Sequence, residues 1–329
     1  MKAVLQERFG PPDILRLKEV DRPRPGAGQV LVRVHAAALN PYDWHMMRGD
    51  PYAARLLGGM GLTRPKHRVA GIDAAGVVEA VGVGVEGLPP GTPVLGFCAG
   101  AFAEYACAEA ELLVPKPERL SFEQAAATPM AAVTALRGIR TVGRVRAGQR
   151  VLVNGAGGGV GTFAVQIAAG LEAEVTGVCS AGSSEMVRSL GATHVIDHQR
   201  EDFTERHAQY DVILDNVGNL PLGRLRRALT PTGVLVANGG GSPGRVFGAI
   251  GATLKLVVVN TVARQSMRPI IPATPSGPAR EDLLAVTALV DAGQVTPMVG
   301  RTYPLTDTTD AMRHMEEGHS RGKTVITVR

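Results

Sequence analysis

The sequence predicts an α/β protein in which a doubly wound parallel sheet is inserted in a β-rich domain. Three observations predict it. Residues 1–125 read as short strands separated by turn residues, residues 150–238 alternate strand and helix patterns, and a last strand-like segment, TVITV at Thr324–Val328, follows the alternation. Short strands punctuated by Gly and Pro favour a compact β domain, whereas strands alternating with helices imply parallel pairing through right-handed crossovers. The expected division is 1–125 for the first part of the β-rich domain, 126–262 for the doubly wound domain and 263–329 for the return segment. A chain of 329 residues is long enough for two such cores.

The elements follow in order. Val30–Ala36 (VLVRVHA) is a strand after the Pro23–Gly28 turn cluster; Gly76–Val81 is a second, the segment from Gly91 to Phe97 a third, and Phe102–Ala108 a fourth. Ser121 is placed to cap an alanine-rich helix that Pro129 interrupts. Strands are then expected at Val151–Asn154, Glu174–Cys179, His194–Ile196, Val212–Asp215 and Gly233–Asn238, with helices at Val160–Ala169, Ser184–Leu190 and Leu222–Leu229 between them. A Pro-rich loop, Arg268–Pro278, leads to a helix at Glu281–Asp291.

Composition narrows the function classes. The net charge of +5 is scattered, with no basic run and no interleaved aromatics, so nucleic acid is not an expected partner. Cys98, Cys107 and Cys179 have no zinc spacing and make no even disulfide framework. The N-terminus MKAVLQERFG lacks the apolar core of a signal peptide, and the longest apolar stretch, around Leu254–Val259, is too short to span a bilayer. A cytoplasmic location and no membrane association are expected.

Gly155, Gly158 and Gly161 are spaced GxxGxxG between a hydrophobic strand and a helix. A strand feeds a helix this tightly only where the backbone tolerates unusual angles, and a pyrophosphate approaches closely only where no Cβ intervenes. The helix N-terminus then offers unpaired N–H groups and the positive end of its dipole to the anion. Gly155, Gly157, Gly158, Gly159, Val160 and Gly161 are therefore candidate contacts to a dinucleotide in a Rossmann-type domain. The strand Glu174–Cys179 is followed by Ser180, not by the carboxylate that would hold a ribose 2′-hydroxyl, and Ser180 and Ser183 are able to donate to a 2′-phosphate. NADPH is expected in preference to NADH. Asn216, Gly218, Asn238 and Gly239 lie at carboxyl ends of expected strands, where open α/β sheets bind ligands.

The motifs LNPYDW (Leu39–Trp44), AGIDAAGVVEAVG (Ala70–Gly82), NGAGGGVGTFAVQIA (Asn154–Ala168), DNVG (Asp215–Gly218) and GKTVITV (Gly322–Val328) together resemble the medium-chain dehydrogenase/reductase superfamily, specifically its zinc-independent, quinone oxidoreductase-like branch. The resemblance runs the length of the chain and implies a GroES-like catalytic domain around the Rossmann domain, and a homodimer. Zinc enzymes of this superfamily place ligands where this chain has Asn40, Ile72 and near Met130, so no metal is expected. By the same resemblance Asn40–His45 is an active-site rim, written here as a loop. His45 is a candidate to orient a carbonyl or donate a proton, with the Tyr42 phenol nearby; Asn40 is a candidate either to hydrogen-bond substrate or ribose or to bond backbone in a turn, and Asp43 fixes the loop. Thr134 resembles a threonine at the nicotinamide end of the cofactor, and Lys323 either pairs near the cofactor or is simply solvated. The implied activity is NADPH-dependent hydride transfer to a small-molecule quinone or α,β-unsaturated carbonyl. A cofactor-binding redox sensor or scaffold with little turnover, and an enoyl-thioester reductase, are the alternatives.

Overall fold

A computed structural model describes residues 1–50, 52, 55, 60–205, 207–238, 264–270, 279–318 and 320–329. Its contacts divide into two compact units, one of residues 1–133, 273–292 and 297–329, the other of 134–272 and 293–296. The expected joints at 125/126 and 262/263 thus differ from contact joints at 133/134 and 272/273, the first of which falls inside a helix.

The first unit begins with the hairpin β1 (Lys2–Leu5) and β2 (Arg16–Glu19). Then come β3 (Gln29–Ala38), helix α1 (Pro41–Arg48), β4 (Asp73–Val81), β5 (Pro93–Phe97), β6 (Tyr105–Glu109), β7 (Leu113–Pro115), and helices α2 (Phe122–Ala126) and α3 (Pro129–Leu136). Ser121 caps α2 in a capping box with Gln124, which leaves Pro129 to open the next helix. Of these strands β3 and β4 are expected ones extended at their ends, β5 and β6 are expected ones that begin two and three residues later, and β1, β2 and β7 have no counterpart in the sequence reading.

The second unit is regular: β8 (Arg150–Asn154), α4 (Gly159–Gly170), β9 (Glu174–Cys179), α5 (Ser184–Ser189), β10 (His194–Asp197), β11 (Tyr210–Asp215), α6 (Leu222–Ala228), β12 (Leu229–Ala237) and β13 (Ser266–Pro269). All neighbours pair in parallel, in the order β10-β9-β8-β11-β12-β13. Numbered within the unit this is 3-2-1-4-5-6, the doubly wound order, whose direction reverses between β8 and β11. Its core gathers Leu152, Val178, Ile213, Leu235 and Met267. The central strands are buried on both faces, so they read as nearly continuous apolar runs rather than alternating ones.

The chain returns to the first unit through α7 (Ala279–Asp291), β14 (Val299–Pro304), α8 (Thr308–Glu316) and β15 (Lys323–Thr327). The seven-stranded sheet runs β14-β15-β3-β4-β5-β7, with β6 also on β3. Antiparallel register sets Ala38 of β3 opposite both Asp73 of β4 and Val325 of β15. That register draws the exit of β3 and the starts of β4 and β15 to one place.

Among the described residues no helix is long and apolar enough to cross a membrane. Gly239 and the apolar stretch around Leu254–Val259 lie outside the described residues, as does most of the Pro-rich loop.

Candidate functional site

The glycine turn connects β8 to α4 at the reversal point of the second sheet. Gly155 takes φ +78°, a left-handed conformation that favours glycine. The backbone N–H groups of Gly155 and Ala156 both donate to the carbonyl of Val178, at 3.1 and 2.9 Å, which ties the turn to β9. Gly158 is the N-cap of α4, and a Cβ there would meet only the carbonyl oxygen of Gly155, at 3.5 Å. Gly161 is the opposite case: a Cβ would lie 2.1 Å from that same oxygen. Two glycines of one motif therefore serve different ends, Gly161 closing the turn and Gly158 leaving open space at a helix start. Gly159 and Val160, in the first turn of α4, present N–H groups that no residue four places back in the helix accepts.

The segment that follows β9 is rich in serine. Ser183 lies beside Gly157, whose added Cβ would come within 2.9 Å of both its Cβ and Oγ. The Oγ atoms of Ser180 and Ser183 are 3.5 Å apart. The first carboxylate after β9 is Glu185, in the first turn of α5.

At the carboxyl ends of β8, β11 and β12 the structure brings Asn216, Gly218 and Asn238 together. Two residues not anticipated from the sequence join them. Buried Asp215 accepts from Asn154 Nδ2 at 2.9 Å and from the backbone N–H groups of Val217 and Gly218 at 3.1 and 3.0 Å. Asn216 donates to the carbonyl of Asn154 and accepts from Asn238 Nδ2 at 2.8 Å. The signal was the motif DNVG itself: an Asp at a strand end two and three residues before free N–H groups makes an Asx turn. Thr134 is buried in α3.

In the first unit the segment NPYDWH corrects the expectation of a loop. It forms α1, with Asn40 as N-cap, Pro41 at the first helical position and Asp43 closing a capping box by accepting the Asn40 N–H at 2.8 Å. His45 is half-buried, edge-on to Trp44, and its Nδ1 lies 2.8 Å from the carbonyl oxygen of Asp50. A carbonyl only accepts, so Nδ1 carries the hydrogen and Nε2 of the neutral ring is left as an acceptor. Half-buried Tyr42 has its phenol pushed up by burial and by the charge of Asp43.

Lys323 corrects the expectation of a solvated side chain: it is 4% exposed. Its ammonium donates to the carbonyl of Leu39 at 2.7 Å and to Asn40 Oδ1, and lies 3.9 Å from Asp73 Oδ2. Asp73 Oδ2 also accepts from Asn40 Nδ2 at 3.0 Å and from the Met130 N–H at 3.1 Å. Asn40, a candidate substrate contact, is 2% exposed and spends both ends of its amide inside this cluster. Burial raises Asp43 to about 7, with the Asp73 charge adding to it, and raises Asp73 to about 6 against the opposing pull of Lys323. Burial likewise lowers Lys323. Two carboxylates facing one ammonium in a dry site favour keeping a proton.

The same residues do not suit zinc. Asn40 is committed to Lys323 and Asp73, Ile72 has no donor atom, and the buried Cys98 thiol is pushed up to about 12 by burial and by Asp73, which keeps it protonated. Among the described residues no group of three or more His, Cys, Asp or Glu is placed to hold a metal ion.

Comparison with known proteins gives two family matches: the alcohol dehydrogenase GroES-like domain over residues 26–118, and the zinc-binding dehydrogenase family over residues 190–326. The chain is 32% identical to the human NAD(P)H oxidoreductase RTN4IP1, mitochondrial, over 100% of this chain and 89% of that protein. It is 32% identical to 2-methylene-furan-3-one reductase of Solanum lycopersicum, over 99% of this chain and 79% of that one. Among solved structures, the quinone oxidoreductase of Coxiella burnetii superposes with a TM-score of 0.84 at 29% identity, covering 100% of this chain and 99% of that one.

Proposed function

Because the chain belongs to the medium-chain dehydrogenase/reductase superfamily, in its quinone oxidoreductase-like branch, and is an oxidoreductase, we propose that it is a zinc-independent reductase that uses NADPH to reduce a quinone or an α,β-unsaturated carbonyl. The observation that carries this reading is the glycine turn at the sheet reversal, open at Gly158 and flanked by Ser180 and Ser183 where an acidic residue would select NADH. Quinone and enone reductases among the relatives support the substrate class.

When bound, the nicotinamide cofactor supplies a hydride to an electron-poor carbon or to the quinone. The residues of this chain do the rest. Gly155–Gly161 and the first-turn N–H groups of α4 hold the pyrophosphate. Ser180 and Ser183 would donate to the 2′-phosphate, and Asp215 and Asn154 hold the Asn216–Gly218 turn in shape at the end of β11. Proton handling falls to α1. His45 keeps Nδ1–H on Asp50, so its Nε2 is the atom that takes up and delivers a proton. No metal polarises the carbonyl in this scheme, which suits substrates already activated by conjugation.

The test is oxidation of NADPH and of NADH against a panel of quinones, enones and an enoyl thioester. Turnover with quinones or enones and tighter binding of NADPH than NADH are expected. Tighter NADH binding would mean that Ser180 does not select for the phosphate, and cofactor binding without turnover would favour a sensor or scaffold. Chelators are expected to leave the rate unchanged; strong inhibition that added zinc reverses would overturn the metal-free reading.

A further inference from the structure

A buried lysine is costly, and the chain keeps one at the first turn of α1. The ammonium of Lys323, on β15, reaches the carbonyl of Leu39 and the amide oxygen of Asn40, with Asp73 of β4 alongside. The N-cap residue is thereby held from three sides: Oδ1 by Lys323, Nδ2 by Asp73, and the backbone N–H by Asp43. The far end of α1 is gripped from the same stretch of chain. One carboxylate oxygen of Glu316, on α8, accepts from Trp44 Nε1 at 2.6 Å and from Arg48 Nε at 2.8 Å. Tyr42 and His45 lie between these two anchors. A helix fixed at its cap and at its last turn is fixed in rotation, so the direction in which those two side chains point is set from β15 and α8.

A cation is needed at this place for a reason the donor set makes plain. Asp73 is 0% exposed, and its Oδ1 has no partner among the described residues; Asp43 is 5% exposed. Two buried carboxylates without a counter-charge would drive the first turn apart or pull in water. The ammonium lies among polar groups that leave no competent ligand set for a divalent ion.

We propose that Lys323 is a positioning residue, an internal cation that holds Asn40 and the first turn of α1 and thereby aims Tyr42 and His45. The inference rests on the reading of α1 as the proton-handling element. It differs from a role for Lys323 on the cofactor, because the ammonium is spent on Leu39, Asn40 and Asp73.

The experiment compares the wild type with Lys323→Met and with the double variant Lys323→Met/Asp73→Asn. Three readouts are followed: thermal midpoint, kinetics with NADPH and a quinone or enone, and the imidazole nitrogen resonances of His45. The single variant leaves carboxylates unpaired and should lose roughly 10 °C in midpoint; the double variant, with one charge removed, should recover most of that loss. NADPH affinity should stay within about twofold in both. In the double variant kcat should fall by about tenfold or more, and the His45 resonances should move. A double variant with wild-type kcat and unmoved His45 resonances would overturn the proposal, as would a loss confined to NADPH affinity. If the wild type turns over nothing in the panel, the proposed reaction fails on its own account. The His45 resonances then decide alone: shifted in the double variant they support the positioning role, unshifted they refute it.

Discussion

Gly158→Asp is expected to weaken NADPH binding by at least about 100-fold while leaving the protein folded and its thermal midpoint unchanged or slightly raised. The two halves of that outcome come from different physics. Gly158 is the N-cap of α4 with φ −85° and ψ 177°, an extended conformation open to any residue, and a Cβ there has its nearest neighbour at 3.5 Å. Aspartate is among the preferred N-caps, since its carboxylate accepts a first-turn N–H, so the helix gains from the change. The pyrophosphate loses by it. A carboxylate about 4 Å from a phosphate opposes it by about 4 kcal/mol at an effective dielectric of about 20, and each 1.4 kcal/mol is about tenfold in affinity. Gly158→Asn, of the same shape and without the charge, should lose far less. Fluorescence titration with NADPH beside a thermal melt checks all three proteins; unchanged affinity in the Asp variant would remove the turn from the cofactor site.

Three residues further on, the smallest substitution should have the reverse effect. Gly161→Ala is expected to destabilise the second unit by about 3 kcal/mol or more, at the upper end of what overpacking usually costs. The added carbon would sit 2.1 Å from the Gly155 oxygen and 2.7 Å from the Ala156 Cα. Both obstacles are backbone, so no rotamer change relieves the clash, and the turn has to open away from β9. Denaturant unfolding of Gly161→Ala beside Gly158→Ala measures the contrast. Equal stability of the two would mean that the turn has slack which the Gly155 and Ala156 bonds to Val178 argue against.

These two glycines explain why the second unit was legible in the sequence. Its information is local: an apolar strand, a glycine turn and a helix follow one another directly over Arg150–Gly170, and the alternation repeats with little change. The first unit was legible in its strands and less so in its site. Tyr, Asp, Trp and His are indifferent helix formers, and eight residues are too few for a clear period, so PYDWHMMR at 41–48 reads as loop. The cap was nonetheless written there, as Asn40, Pro41 and Asp43 in N-cap, first and third positions. Lys323 carried no local sign of its fate. A lysine between a glycine and an apolar strand looks solvated, and only the pairing of β15 with β3 places it beneath Asn40, 283 residues away in sequence.

That separation has a consequence for the order of assembly. A ribosome releases the strands of the doubly wound sheet well before β15, and their pairing needs nothing from the last stretch of the chain. The helix bearing Tyr42 and His45 is in the opposite position: it is made early, yet its ammonium anchor and its Glu316 clasp emerge at the end. Closing so long a loop has an entropic cost that grows only slowly with length, so the delay lies in synthesis more than in thermodynamics. Nascent chains therefore pass through a stage in which the nucleotide-type half is able to close around its core while the chemistry-bearing helix is still unanchored.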